Sequence, residues 1–176
     1  MNELFTNQHI LLRALEKEDL DYLYKWENSI DIWHLSNTLI PFSRYTLKRY
    51  IEISSQDIYE AKQLRLIIVH RESGKAIGTV DIFDFDPYNL RAGVGILIAD
   101  KSDRKQGFAG EALDILIRYG QEILHLKQLY CNILENNEDS LKLFITKGFV
   151  ITGAKKEWVK ASNQWITEFM LQCIFY

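Results

Sequence analysis

The spacing of apolar residues divides the first half of the chain into short strands and helices. A short apolar run predicts a strand over residues 9–14, and apolar residues at helical spacing predict a helix over residues 15–26. Residues 28–42 show no regular pattern and are expected to be irregular. Ser43 is a favourable helix N-cap, so a second helix is expected over about residues 45–59. Apolar runs bounded by turn residues then predict strands at residues 64–70, 76–85 and 91–99.

The pattern changes after a polar loop at residues 100–106. Residues 107–124 present a wide apolar face and predict a long helix. A strand is expected over residues 128–134, followed by a short helix over residues 137–147 that ends at Gly148 in the left-handed conformation. The element order β-α-α-β-β-β-α-β-α-β-β indicates a mixed sheet of α+β type. The last apolar segments predict closing strands at residues 150–153, 157–159 and 165–174.

Composition and charge narrow the class of protein. A length of 176 residues predicts a single domain over residues 1–176, and 47% apolar with 26% charged residues are typical of a soluble globular chain. The formal net charge of −3 argues against nucleic acid as the main partner. The sequence predicts no signal peptide and no membrane span. Cys131 and Cys173 lie in apolar runs and indicate buried thiols in a reducing, cytoplasmic compartment.

The candidate chemistry lies in the loop before the long helix, Arg104-Lys105-Gln106-Gly107-Phe108-Ala109-Gly110. A helix start exposes unpaired N–H groups at the positive end of its dipole, and small residues there let a phosphate reach the backbone. The loop therefore predicts a pyrophosphate cradle, to which Arg104 and Lys105 add positive charge. It lacks the Gly-Lys-Ser/Thr ending of a P-loop and the three-glycine spacing of a dinucleotide fingerprint. A plain polar turn that starts a helix is the alternative interpretation.

Several motifs around this loop resemble the core of the Gcn5-related N-acetyltransferase (GNAT) family. Arg104, Gly107 and Ala109 match that family's Gln/Arg-x-x-Gly-x-Gly/Ala loop in register. The opening at residues 11–20 is similar to the branch of spermidine and ribosomal-protein N-terminal acetyltransferases. The resemblance implies a single-domain GNAT-like fold, with a mostly antiparallel sheet and helices on both faces. Further similarity lies in Ile96-Leu97-Ile98, residues 129–133, Asn137-x-x-Ser140 and Lys147-Gly148-Phe149.

The resemblance also implies what the site binds. In such enzymes the loop backbone holds the pyrophosphate of acetyl-CoA, the fourth strand pairs with the pantetheine arm, and an N–H there polarises the thioester carbonyl. Asn137 is expected to hydrogen-bond the arm, to cap the helix that follows it, or both. No metal is expected. The residues expected to bind acetyl-CoA are Ile96, Leu97, Ile98, Arg104, Lys105, Gln106, Gly107, Phe108, Ala109, Gly110 and Asn137.

The usual proton-transfer groups of the family are missing. The carboxylate that begins the fourth strand falls at Gly93, and the tyrosine falls at Phe144, which shares a helical face with apolar core positions. A base is still needed, because an ammonium group has no lone pair to attack with. The candidate catalytic residues are Asp84 first, then His34 and Tyr88.

Strand alternation predicts that Asp84 and Asp86 lie on one face of their strand and Asp81 on the other. Asp84 falls where the spermidine enzymes have an acid that faces the polyamine. A solvated acid at a strand end is the alternative interpretation of Asp84, and a lone histidine such as His34 is more often structural.

The function that follows is acetyl transfer from acetyl-CoA to a primary amine, either a small di- or polyamine-like molecule or a peptide N-terminus. The acidic pair of the spermidine branch falls near Ser36 and Asn37, which argues against polyamine specificity. The missing proton-transfer groups support an alternative, a non-catalytic CoA-binding sensor or interaction module. Self-association into a homo-oligomer stays open.

Overall fold

The computed structural model describes residues 3–36, 38–161 and 163–176, with the backbone alone described at residues 34–36. The described strands are β1 (Ile10–Ala14), β2 (Leu64–His70), β3 (Ala76–Asp86), β4 (Arg91–Ile98), β5 (Gln128–Leu134), β6 (Val150–Ala161) and β7 (Gln164–Ile174). They form one sheet in the order β1-β2-β3-β4-β5-β7-β6. Neighbouring strands run antiparallel except β4 and β5, which run parallel. The predicted mixed, mostly antiparallel α+β sheet is confirmed.

Helices cover both faces of this sheet. The described helices are α1 (Leu20–Glu27), α2 (Ile30–Ser36), α3 (Arg44–Ile53), α4 (Ile58–Ala61), α5 (Phe108–Glu122) and α6 (Glu138–Thr146). Helices α5 and α6 pack on one hydrophobic core that includes Leu116. Helices α1 and α3 pack on a second core that includes Leu23. The consecutive β2 residues Ile67 and Ile68 belong to different cores, so the two cores lie on opposite faces of the sheet.

Helix α2 lies in the segment that was expected to be irregular, and that expectation was wrong. The helix is anchored by the buried side chain of Ile32. The indole N–H of Trp33 also donates to the carbonyl oxygen of Glu27 at 2.9 Å. The Trp33 hydrogen bond joins α2 to the end of α1. Neither feature produces an amphipathic stripe, which explains why the sequence pattern did not predict the helix.

Two further boundaries differ from the prediction. The helix expected over residues 45–59 ends at Ile53, where the Ser54 hydroxyl donates to the Ile51 carbonyl at 2.7 Å and competes with continued helix formation. The two short strands expected at residues 150–153 and 157–159 form the single strand β6. Two register shifts against β7 interrupt its alternation, and the apolar pattern therefore looked discontinuous.

Strands β4 and β5 separate after only three residue pairs, from Arg91 opposite Gln128 to Gly93 opposite Tyr130. Beyond that point β4 stays paired with β3, while β5 continues its pairing with β7. The edge of β4 from Val94 to Ile98 therefore faces a gap in the sheet instead of a neighbouring strand. This gap is the structural basis of the candidate site.

An ion pair between the half-buried Arg13 and the buried Asp19 joins the end of β1 to the start of α1. Arg13 donates from both terminal nitrogens to the two carboxylate oxygens of Asp19, each at 2.7 Å, and the backbone N–H of Glu16 donates to the same carboxylate at 2.9 Å. Burial acts to raise the pKa of Asp19, but the hydrogen bonds from Arg13 and Glu16 outweigh it and hold the pKa below its ordinary value. The charged carboxylate is therefore the form that the fold stabilises.

We predict that Asp19→Asn destabilises the fold at pH 7 by about 1–3 kcal/mol, because it removes the charge from a buried, hydrogen-bonded pair. A lowered folded-state pKa gives stability that is present above the unfolded value of about 3.9 and is lost as the pH falls through the folded value. Urea unfolding at pH 7 and at acid pH should show the gap between wild type and variant shrinking in acid. Asp21→Asn is the control, since Asp21 is 82% exposed in its ion pair. An equal effect of the two substitutions would contradict the prediction.

Candidate active site

The gap between β4 and β5 opens into a cavity of about 550 Å³. Of the residues predicted to bind the cofactor, all but Gln106 line it. Seven further residues line the same cavity, and of these the sequence pattern had singled out only Ser140, as part of a motif. Those additional lining residues are Asp31, Ile32, Asp103, Asn136, Asp139, Ser140 and Leu143. They come from α2, the loop before α5 and the start of α6, so the cavity collects elements that are distant in sequence.

The start of α5 is open towards this cavity. Gly107 is the N-cap residue and has a φ of +88°, a left-handed conformation that favours glycine. A Cβ atom added to Gly107 would meet nothing within 4 Å. The first helical N–H groups have no partner within a helix, so they are available to an anion that enters from the cavity. The loop therefore has the geometry of an anion cradle.

The charges of the loop are arranged differently from the expectation. The guanidinium of Arg104 donates to the carbonyl oxygens of Ile98 at 3.0 Å and Ala99 at 3.1 Å, so it fastens the loop to the end of β4. Lys105 is largely exposed and pairs with Asp139 of α6 at 3.3 Å. Arg104 thus has a structural role besides its charge, and Lys105 extends across the mouth of the cavity.

Asn137 caps α6 and also lines the cavity. Its side-chain oxygen accepts from the backbone N–H of Ser140 at 3.3 Å. Within the part of the chain that the structure describes, its Nδ2 group makes no hydrogen bond. The capping role is confirmed, and the free amide donor leaves a ligand contact open.

The positions of the usual proton-transfer groups are occupied by packed aromatic rings. A Cβ atom on Gly93 would lie 2.2 Å from Cε2 of Phe83, so the Phe83 ring fills the space beside that position. Phe144 is buried and packs edge-on against Phe149, with ring centroids 5.0 Å apart. The predicted core role of Phe144 is confirmed. Neither position offers a side chain that can move a proton.

Asp84 does not lie on the predicted face of β3. It has a φ of +48°, and the register against β4 shifts between Phe83 and Asp86. The Tyr130 hydroxyl donates to Asp84 at 3.2 Å, and the Tyr130 ring packs edge-on against Phe83. Asp84 therefore follows Phe83 onto the face that Asp81 occupies, which corrects the expected alternation. Asp84 is exposed. It is not among the residues that line the cavity beside β4.

Tyr130 is a polar group at the last β4–β5 pair that sequence reasoning missed. Burial raises its pKa to about 12, and the neighbouring Asp84 carboxylate adds to the effect. Tyr130 therefore stays protonated and keeps its hydrogen bond to Asp84. No motif signal could have found it, since it occupies an ordinary half-buried position of a strand, between the core residues Leu129 and Cys131.

The two alternate candidates have different outcomes. Tyr88 is at the tip of the β3–β4 turn, fully exposed, where Asp86 accepts from its backbone N–H at 3.1 Å. As described, it lines neither cavity. His34 belongs to α2, but its side chain is outside the part of the chain that the structure describes.

A second cavity of about 270 Å³ lies on the sheet face covered by α1 and α3. Arg65 of β2 donates to Asp81 of β3 at 2.5 Å and to Glu27 of α1. Tyr50 lies under the guanidinium, 5.3 Å from ring centroid to Cζ. Burial raises the pKa of Asp81 more than Arg65 lowers it. The lining residues are Glu27, Phe42, Thr46, Leu47, Tyr50, Gln63, Leu64, Arg65, Asp81, Ile82 and Phe83.

Residues 9–150 match the GNAT acetyltransferase domain. The chain belongs to the GNAT acetyltransferase family. It is an acetyl-CoA-dependent N-acetyltransferase, and the match includes both the open start of α5 and the gap beside β4. Within the described residues, no cluster of three or more His, Cys, Asp or Glu side chains is arranged to hold a metal ion. No helix among them is long and apolar enough to cross a membrane.

Relatives of this GNAT domain include both uncharacterised and named acetyltransferases. It is 27% identical to the uncharacterized N-acetyltransferase p20 of Bacillus licheniformis, over 99% of this chain and 97% of the relative. This chain is 24% identical to spermidine N(1)-acetyltransferase of Escherichia coli K12, over 82% of this chain and 74% of the relative. It is 41% identical to an N-acetyltransferase 9-like protein of Nematostella vectensis, over 83% of this chain and 76% of the relative.

The fold of this GNAT domain is also found among solved structures. Spermidine N-acetyltransferase from Vibrio cholerae, in complex with CoA and spermine, superposes with a TM-score of 0.86 at 21% identity, over 96% of both chains. The GNAT-like single-domain fold predicted from the sequence is confirmed.

We predict that Gly107→Val weakens acetyl-CoA binding by about 10–100-fold, because a branched side chain blocks the N–H groups that hydrogen-bond a charged ligand. Gly74→Val is the matched control. Gly74 has a φ of +68° and equally empty surroundings, so both variants bring similar backbone strain. Calorimetric titration of both variants separates strain from obstruction. Equal affinities in the two variants would place the phosphate cradle elsewhere.

We also predict that Gly93→Ala destabilises the fold by about 1–3 kcal/mol, since its Cβ atom collides with the Phe83 ring. Phe83→Leu in the same chain should remove most of that loss. A double-mutant cycle from urea unfolding measures the coupling. Gly95→Ala is the control, because its Cβ atom would meet Phe83 at an ordinary 3.8 Å. If Gly93→Ala is as stable as Gly95→Ala, the Phe83 ring does not fill that space.

Proposed function

We propose that the cavity beside β4 binds acetyl-CoA and that this chain acetylates the primary amine of a small molecule or a peptide N-terminus. The observation that supports this best is the combination of an open helix start at Gly107 with the unpaired edge of β4. A helix start attracts a pyrophosphate, and an unpaired strand edge attracts an extended amide chain. CoA contains both groups in sequence.

The residues present fit this ligand. The N–H groups from Gly107 to Gly110 hold the pyrophosphate, with Lys105 supplying charge at the mouth. The free edge of β4 pairs with the pantetheine arm through residues 96–98, and the Nδ2 group of Asn137 donates to the arm. Arg104 keeps the loop attached to β4, so the two halves of the site stay in register.

The bound acetyl thioester supplies an electrophilic carbonyl carbon. The acceptor ammonium first loses a proton to a base, because only the neutral amine has a lone pair. The nitrogen then forms the C–N bond, the C–S bond breaks, and the departing thiolate takes a second proton from the nitrogen. A backbone N–H of β4 stabilises the charge that develops on the carbonyl oxygen, which is typically worth about 3–4 kcal/mol.

Two relatives indicate the chemical class of the acceptor amine. The Vibrio cholerae relative binds spermine, and the Escherichia coli relative is a spermidine acetyltransferase, which supports a cationic amine. Ser36 and Asn37 stand where an acidic pair falls in that branch, and they lie outside the residues whose side chains are described.

Location and assembly belong to the same proposal. Cys131 and Cys173 are free thiols, which fits a reducing compartment such as the cytoplasm. A Vibrio cholerae relative is dodecameric. The long edge strand β6 exposes Val150 and Trp158, which supports a homo-oligomer whose mass light scattering can measure.

We predict that acetyl-CoA at 100 times its Kd stabilises the chain by about 2.7 kcal/mol, visible as a rise in Tm. Thiol release in the presence of a panel of primary amines then measures turnover. A thermal shift without thiol release for any of these amines would contradict the proposed primary-amine acceptor. No thermal shift at saturating acetyl-CoA would overturn the proposed cofactor site.

A further inference from the structure

The second cavity contains three charged side chains whose charges nearly cancel one another. Arg65 bridges two carboxylates, those of Glu27 and Asp81, and the three groups together have one net negative charge. Their side chains are 18–23% exposed, so they are largely removed from water and still reachable from the cavity. A buried group with one uncompensated negative charge attracts one cation.

The negative charge of Asp81 lies next to Gly95, a residue of β4 without a side chain. Asp81 is opposite Gly95 in the β3–β4 register. A Cβ atom on Gly95 would meet the Asp81 Cβ atom at an ordinary 4.0 Å, so no side chain of β4 separates Asp81 from the strand backbone. The next β4 residue, Ile96, lines the larger cavity. Asp81 and the larger cavity therefore adjoin neighbouring residues of β4, Gly95 and Ile96.

Most of the remaining wall of the second cavity is apolar or aromatic, with Thr46 and Gln63 as its uncharged polar side chains. Phe42, Tyr50 and Phe83 line it together with Leu47 and Leu64. At about 270 Å³ it is slightly smaller than the range of about 300–1,000 Å³ typical of small-molecule pockets. This size fits a small amine with a compact apolar body.

We propose that the second cavity is the acceptor pocket of this acetyltransferase and takes a small primary monoamine, whose ammonium group binds Asp81 and gives its proton to that carboxylate. The inference rests on the proposed function. The proton transferred to Asp81 passes afterwards to water, so the carboxylate is restored in each cycle.

The charge count distinguishes a monoamine from a polyamine. One ammonium group neutralises the set formed by Glu27, Arg65 and Asp81. A second or third ammonium group of a polyamine adds positive charge that this set does not compensate, and an uncompensated buried charge is costly. The pocket therefore favours a single cation.

Asp81 is better placed than Asp84 to receive the proton. Asp81 lines the pocket, and its burial supports a carboxylate more basic than usual. The charged and titratable groups that face Asp81 are Arg65, Glu27 and Tyr50. Asp84 is instead exposed at a bulge and hydrogen-bonded by Tyr130.

The first test compares amine binding without turnover. Hexylamine, 2-phenylethylamine, putrescine and spermidine are titrated calorimetrically into the protein saturated with free CoA. We expect the two monoamines to bind at least about tenfold more tightly than the polyamines, the difference that one unpaired charge-assisted hydrogen bond makes. Tighter binding of spermidine than of either monoamine would overturn the substrate class.

The second test compares Asp81→Asn with Asp84→Asn, two isosteric changes three positions apart on one strand. We expect Asp81→Asn to lower kcat by about 10²–10⁴-fold, the range for loss of a general base. It should also weaken monoamine binding, while the thermal shift with acetyl-CoA stays normal and reports an intact fold. Asp84→Asn should match wild type in each measurement.

Three results are decisive. A normal acetyl-CoA shift together with full activity of Asp81→Asn would overturn the inference alone. Loss of activity and of amine binding in Asp84→Asn but not in Asp81→Asn would assign the base to Asp84. Absence of both the acetyl-CoA shift and thiol release in the wild type would overturn the proposed function itself, and the inference with it.

Discussion

The separation of β4 from β5 after Gly93 and Tyr130 is the constraint on which the site depends. Backbone groups inside a sheet are normally paired, and an unpaired interior edge is costly unless something else satisfies it. Here the break exposes the edge of β4 at the point where α5 begins. The same break brings a polar strand edge and a positive helix end into one cavity. An extended ligand with a phosphate at one end restores both sets of hydrogen bonds.

The loop between β4 and α5 shows how the chain uses its own charges to hold this opening. Arg104 is fastened to two carbonyl oxygens of the β4 end. Lys75 pairs with Asp100 and Asp103 at 3.1 Å and 3.0 Å. These contacts fix the loop while leaving the N–H groups after Gly107 free. Positive charge in a sequence motif therefore does not always face the ligand; part of it shapes the backbone that does.

Features that depend on local chemistry were predictable from the sequence, and those that depend on tertiary contacts were not. Gly107 was predictable as the start of α5 because a helix start in the left-handed conformation favours glycine. Helix α2 was missed because its stability comes from Ile32 and Trp33 in contact with neighbouring elements. Asp84 was placed on the wrong face because one bulge reverses every alternation argument beyond it. The cluster of Arg65 with Glu27 joins positions 38 residues apart, which no local pattern records.

The Phe83 ring over Gly93 has a consequence for how substitutions at the two positions combine. A carboxylate introduced at Gly93 alone would occupy space that the ring already fills. Phe83 would have to become smaller first, and that change by itself leaves a void in the packing. Each single step is therefore disfavoured. The effect of a carboxylate at position 93 thus depends on which side chain occupies position 83.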